Sequence, residues 1–188
     1  KITLDGVNTR DLTRDELRKQ FGMVLQDTWL FTGSIKENIA YGDINPSDEK
    51  IHAASSAANI DHFIRSLPQG LDTQLTDDSA SISNGERQLL TIARAFIADP
   101  AILILDEATS SVDTRTEVLV QKAMKRLRAG RTSFVIAHRL STIRDADVIL
   151  VLDKGAIVEQ GTHNELMNNR GFYFNLYASQ FSEASEVL

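Results

Sequence analysis

Asp106 and Glu107 are adjacent carboxylates placed directly after five apolar residues, Ala101-Ile102-Leu103-Ile104-Leu105. A short unbroken apolar run fits a strand buried on both faces, as in a parallel sheet. Both acids then leave the sheet at the carboxyl end of the strand, where open α/β sheets bind ligands. Two carboxylates at such a point suit a hard cation, which takes oxygen ligands, and an attacking water that must give up a proton. The same pattern also describes a core strand running into a polar helix start.

Ser83-Asn84-Gly85-Glu86-Arg87-Gln88 is a second candidate. Ser83 and Glu86 have the spacing of a capping box, in which each side chain satisfies the other's free backbone donor. A helix N-terminus carrying a Ser hydroxyl and free N–H groups is also an anion site, and Gly85 lets a phosphate approach the backbone closely. Gln26 and His138 each follow a short apolar stretch, Phe21–Leu25 and Thr132–Ala137 respectively.

The elements that position these residues follow from local signals. Ile2–Leu4 reads as a strand end turned at Asp5-Gly6. Thr13–Glu16, Ser34–Glu37, Thr114–Glu117 and Thr162–Glu165 all have capping-box spacing and start helices. Asn45-Pro46 opens an Ala-rich helical stretch toward Leu67, interrupted near Asn59. Pro68-Gln69-Gly70 is a turn. Glu86–Ala98 is helical, with Leu89, Leu90, Ile92, Ala93 and Phe96 on one side. Val148–Leu152 and Ala156–Val158 flank Lys154-Gly155 as a hairpin, and a polar tail follows Gln180. The order strand, helix, strand after residue 100 implies a parallel sheet with crossover helices. The block from Pro46 to Leu75 reads as all helical and as a separate lobe.

The 188 residues contain no cysteine, which excludes disulfides, thiolate metal sites and Cys nucleophiles. The net charge of −6 argues against nucleic acid as the main partner. No apolar run approaches the ~18–20 residues of a membrane span. The opening Lys1–Gly6 lacks the features of a signal peptide. It has no starting Met and reads like the middle of a domain, so the chain is expected to be a fragment.

Taken in order, Gln26, the helical block, Ser83–Gln88, Asp106-Glu107, Ser110-Ser111-Val112-Asp113 and His138 resemble the nucleotide-binding domain of ATP-binding-cassette (ABC) transporters. The resemblance covers nearly the whole chain. It leans to exporter-type half-transporters through Gln26–Phe31, Ile136–Thr142 and Gly155–His163. The implied fold is α/β, a P-loop NTPase-like (RecA-like), mostly parallel sheet with an inserted all-helical subdomain and its N-terminal strands missing. About 1–30 and 100–180 form the core, about 45–98 the helical subdomain with the signature motif, and 181–188 a polar tail.

The resemblance also implies roles. Asp106 holds Mg²⁺, usually through water. Glu107 is the general base for the attacking water. His138 contacts the γ-phosphate and orients that water, and Gln26 contacts Mg²⁺ or water and senses the γ-phosphate. Asp113 organises the dimer contact; it also has the position of an N-cap for the helix starting at Thr114, and both roles are compatible. Ser83, Asn84, Gly85 and Glu86 form the signature, which completes the site of a second nucleotide-binding domain. The implied cofactors are ATP and Mg²⁺. The implied partners are that second domain, in a homo- or heterodimer, and the transmembrane domain of the same transporter, with the chain on the cytoplasmic face of the membrane. Trp29 and Phe31 are candidates for anchors against that membrane domain, or for core.

The chain departs from the family pattern in three places. No Gly-Lys dipeptide occurs, so the phosphate-binding loop G-x-x-x-x-G-K-[ST] is absent. The family places it upstream of the segment matching Lys1, and the chain alone is therefore expected to be inactive. Asn84 replaces a glycine of the signature, and Glu86 adds negative charge near where a γ-phosphate docks, unless it turns back to cap the helix. Thr76-Asp77-Asp78-Ser79 stands where exporters have a Gly-Glu-x-Gly segment facing the membrane domain. Intact Glu107 and His138 beside an altered signature fit one half of a heterodimeric exporter. Alternative readings are an ABC ATPase acting on nucleic acid or ribosomes, and a dimerising module without turnover.

Overall fold

A computed structural model describes residues 1–76, 82–107, 112–137 and 140–185. The chain divides into two units, Lys1–Ile136 and Ala137–Leu188.

The first unit opens on a hairpin, β1 (Thr3–Leu4) and β2 (Val7–Asn8), turned by Asp5 and Gly6, both at positive φ. Helix α1 (Arg14–Lys19) starts on the Thr13–Glu16 capping box and leads into β3 (Phe21–Val24). Next come β4 (Gly33–Ser34) and α2 (Ile35–Ala40), the latter started by the Ser34–Glu37 box. Helices α3 (Asp48–Ala57) and α4 (Asp61–Ser66) are separated at Asn59, whose φ of 58° is incompatible with a continuing helix. Strand β5 (Gln74–Leu75) pairs antiparallel with β4. The block from Pro46 to Leu75 is therefore not all helical, because its end returns to β4.

Helix α5 (Asn84–Ala98) begins at Ser83 and ends at Asp99 in the left-handed conformation, one residue before Pro100. Strand β6 (Ile102–Glu107), helix α6 (Thr114–Arg128) and strand β7 (Thr132–Ala137) give the expected strand, helix, strand order. Asp113 caps α6, with its carboxylate accepting from the N–H of Arg115 and Thr116 at 3.1 and 3.0 Å. Of the two residues expected to cap this helix, Asp113 does so and Thr114 is the first helical residue. The extended backbone falls one position earlier, at Asp113, where a carboxylate receives two of the free donors.

The sheet order is β3-β6-β7, with β3 and β6 parallel in the register Val24 opposite Leu105. Val24, Leu103 and Leu105 are fully buried, and they share one core with Ile39, Ile51, Ile60, Leu89, Ile92, Val120 and Leu127 from the helices. Each such aliphatic side chain contributes about 1.5–3 kcal/mol by leaving water. The helical block thus has no core of its own. Strand β3 is buried on one face only. Phe21 and Met23 alternate with Gly22 and Val24 and are exposed, because α5 lies against the opposite face.

In the second unit, α7 (Leu140–Ile143) precedes the hairpin β8 (Ile149–Asp153) and β9 (Ala156–Gly161), turned at Lys154-Gly155. Helices α8 (His163–Asn169) and α9 (Phe172–Ser185) follow. Ile149, Val151, Leu166 and Tyr173 form a small core. The Glu159 carboxylate accepts from the N–H of Phe172 and Tyr173, both at 2.8 Å, and so starts α9. Because α9 runs on to Ser185, the expected polar tail is helical over its first residues. Among the described residues, no helix is long and apolar enough to cross a membrane.

Candidate functional site

Parallel pairing of β3 and β6 fixes where the first candidates emerge. Gln26, two residues past Val24, and Asp106, one residue past Leu105, leave the same carboxyl edge of adjacent strands. Gln26 is exposed and Asp106 partly buried. Glu107 is the last residue of β6, beside Asp106 at that edge. His138, Ser110, Ser111, Asp77, Asp78 and Ser79 lie outside the described residues. The oxygen donors of Asp106 and Gln26 suit a hard cation such as Mg²⁺. Among the described residues, no three His, Asp or Glu side chains cluster as a metal site.

The signature helix faces the same loop. A cavity of about 290 Å³ is lined by Gln26, Asp27 and Thr28 of the loop after β3, by Asn84, Arg87 and Gln88 of α5, and by Val112. The structure thus brings Gln26 and Asn84 to one site. Ser83 and Glu86 cap each other. The Glu86 carboxylate accepts from the Ser83 N–H at 2.9 Å and from its hydroxyl at 2.8 Å, and the Ser83 hydroxyl accepts from the Glu86 N–H at 3.3 Å. Glu86 therefore turns back onto its own helix.

Gly85 has a packing role within this chain. It is buried, and a Cβ there would come within 2.3 Å of Thr116 Cγ2 and 2.8 Å of Val112 Cγ1. The missing side chain lets the start of α6 lie against the start of α5. Gly85 thereby ties the signature to Asp113, the cap of α6. Hydrogen bonds from the Thr116 side chain and backbone hold the Asp113 carboxyl below the usual carboxylate range.

Two positioning residues stand out only in the structure. Asn38 is buried within α2, donating to the carbonyls of Phe31 and Ser34 at 2.9 and 3.1 Å and accepting from the Phe31 N–H at 3.1 Å. Arg94 of α5 donates to the Asn38 carbonyl at 2.9 Å, to its side-chain oxygen at 3.1 Å and to the Trp29 carbonyl at 3.2 Å. Its guanidinium lies 5.2 Å from the centre of the Tyr41 ring. Together they pin the segment after Gln26, leaving Trp29 exposed and stacked near Phe31. The sequence signal for both is a polar residue on the apolar side of a helix.

Comparison with known proteins agrees with this arrangement. A family model described as ABC transporter matches residues 1–110. The chain is 57% identical over 176 residues to a fatty acid ABC transporter ATP-binding/permease protein of Mycobacterium bovis, covering 94% of the chain and 28% of that protein. It is 50% identical over 183 residues to an ATP-dependent lipid A-core flippase of Syntrophus aciditrophicus, covering 97% of the chain and 30% of that protein. The solved structure of a bacterial Atm1-family ABC exporter with ATP bound superposes with a TM-score of 0.84 at 44% identity, over 94% of the chain and 31% of the exporter. The chain thus spans under a third of the length of these relatives. A parallel strand pair delivering Gln26 and Asp106 to one edge, a capped signature helix beside it and a match over more than half of the residues place this chain in the ABC transporter family.

Proposed function

We propose that the chain is the ATP-binding and ATP-hydrolysing domain of an exporter-type ABC transporter. The observation that carries this reading is the convergence of Gln26 and Asp106 at one sheet edge, with the start of α5 across the cavity from Gln26. Mg²⁺, when bound, neutralises charge on the phosphate oxygens during transfer to water. Asp106 would hold the cation, and Gln26 would supply a further oxygen. Glu107 takes the proton from the attacking water, and His138 orients that water against the γ-phosphate. Ser83, Asn84 and Gly85 serve the site of a second nucleotide-binding domain, where ATP is sandwiched. Glu86 acts by fixing the Ser83 hydroxyl at the helix start rather than by touching phosphate. Asp113 holds the start of α6 at the dimer contact.

The exposed Trp29 ring is suited to a transmembrane-domain partner, at the cytoplasmic face of the membrane. No P-loop motif occurs in these 188 residues, so the phosphate cradle comes from elsewhere in the transporter and the chain alone does not turn over ATP. The test is Mg²⁺-dependent ATP hydrolysis by the full-length transporter in lipid. Glu107→Gln is expected to lower kcat by about 10²–10⁴-fold, the range of a lost general base. Turnover undiminished by Glu107→Gln would refute the assignment.

A further inference from the structure

Gln88 is 97% buried within α5 at the wall of the cavity facing Gln26, Asp27 and Thr28. Its side-chain Nε2 is closed off from solvent and has no hydrogen-bond partner among the described residues. An amide donor shut away unpaired is disfavoured, and an acceptor that reaches it relieves that penalty. The atom is closed to water in this structure, so an acceptor reaches it only when the surroundings of Gln88 shift. Gln26, Asp27 and Thr28 of the loop after β3 line the same cavity as Gln88 and carry side-chain acceptors. Asp27 would have to bury a carboxylate, which is the more costly choice. Thr28 is short. Gln26 is neutral, long and exposed, and its carbonyl oxygen is a matched acceptor for a carboxamide donor.

We propose that Gln88 is a positioning residue for Gln26: the Gln88 Nε2 donates to the side-chain oxygen of Gln26 when the loop closes over the cavity. The loop then has two settings, one with Gln26 turned to the sheet edge and Asp106, the other with Gln26 held by α5. Gln88 links the residue that senses this domain's own nucleotide to the helix whose start serves the partner's. This inference rests on the reading of Gln26 and the signature given above.

The test is a double-mutant cycle in the full-length transporter, combining Gln26→Ala with Gln88→Met, and with Gln88→Leu as a second donor-free variant. Both Gln88 variants remove the unpaired donor without leaving a hole, so the melting temperature is expected to stay level or rise. Amide hydrogen exchange of residues 27–31, measured without nucleotide, is expected to quicken about 2- to 10-fold in each single variant, the range of one neutral hydrogen bond. The double variant should exchange no faster than Gln26→Ala alone. Turnover is expected to fall in kcat at unchanged KM for ATP. Unchanged exchange over 27–31, multiplying effects in the double variant, or faster exchange throughout α5 would each overturn the proposal. Glu107→Gln in the same protein reports separately on the ATPase reading, and the exchange cycle needs no hydrolysis.

Discussion

Replacing Gly85 by Ala tests whether that glycine serves packing or phosphate approach. In a helix, Gly→Ala by itself is favourable by about 1 kcal/mol. Here the new methyl would sit 2.3 Å from Thr116 Cγ2 and 2.8 Å from Val112 Cγ1. Carbon atoms at ease are about 3.5–4.0 Å apart, so α5 and α6 must separate by more than an ångström at their starts. Thr116 is β-branched and sits in the first turn of α6, where its side chain has few alternatives. Overpacking of this kind is unfavourable by about 1–3 kcal/mol. The upper end applies here, leaving a net loss of roughly 1–2 kcal/mol after the propensity gain. Urea unfolding of the chain would show it as a lower midpoint at unchanged slope. Thr116→Ser removes the offending methyl and keeps the hydroxyl, so Gly85→Ala/Thr116→Ser is expected to recover most of the loss. In the full-length transporter the same second substitution should restore ATP turnover. A stabilised Gly85→Ala variant would refute the packing argument, and turnover that Thr116→Ser leaves depressed would show that the phosphate site, not packing, sets the loss.

Arg94→Met removes the three hydrogen bonds to Asn38 and Trp29; a loss of about 2–3 kcal/mol is expected from urea midpoints, with Trp29 fluorescence reporting the released segment. Ser34→Ala removes the hydroxyl that caps α2 at 3.1 Å from the Glu37 N–H and should cost about 1 kcal/mol in the same assay. The depressed Asp113 carboxyl contributes stability that is fully present above its unfolded pKa and is lost as pH falls through its lower folded value. Unfolding midpoints followed downward from neutral pH should therefore drop below the ordinary Asp range of about 4, and Asp113→Asn, which keeps the cap oxygen, should flatten that drop. In the full-length complex Ser83→Ala is expected to lower turnover less than Glu107→Gln; equal losses measured by phosphate release would favour a symmetric homodimer.

Local chemistry was the legible part of the chain. The capping boxes at Thr13, Ser34, Ser83 and Thr162 depend on two residues three apart, and all four are formed. The turns at Asp5-Gly6 and Lys154-Gly155 likewise follow from the residues themselves. Asp113 was legible as the cap of α6, and it takes the donors that the Thr114–Glu117 spacing also offered to Thr114. One-sided burial of β3 was not legible because an apolar run reports affinity for a core and not how many faces are covered. The packing role of Gly85 was illegible because its neighbours, Val112 and Thr116, approach only once α5 and α6 are docked. Asn38 and Arg94 were visible as polar interruptions of apolar helix faces, but their partners lie on a loop whose path only the tertiary structure sets.

The pairing of β3 with β6 sets a schedule during synthesis. Val24 meets Leu105 from about 80 residues further along the chain. At about 5–20 residues per second, the ribosome takes roughly 4–16 s to make that partner. For that interval Phe21, Met23 and Val24 leave the ribosome as an apolar strand without its neighbour. Helices α2 to α5 are all made before β6, so their chain is complete while β3 still waits for its partner. Crowded translation, or a slow stretch of message between these points, therefore lengthens the period in which nascent chains can pair with each other through β3 instead of folding.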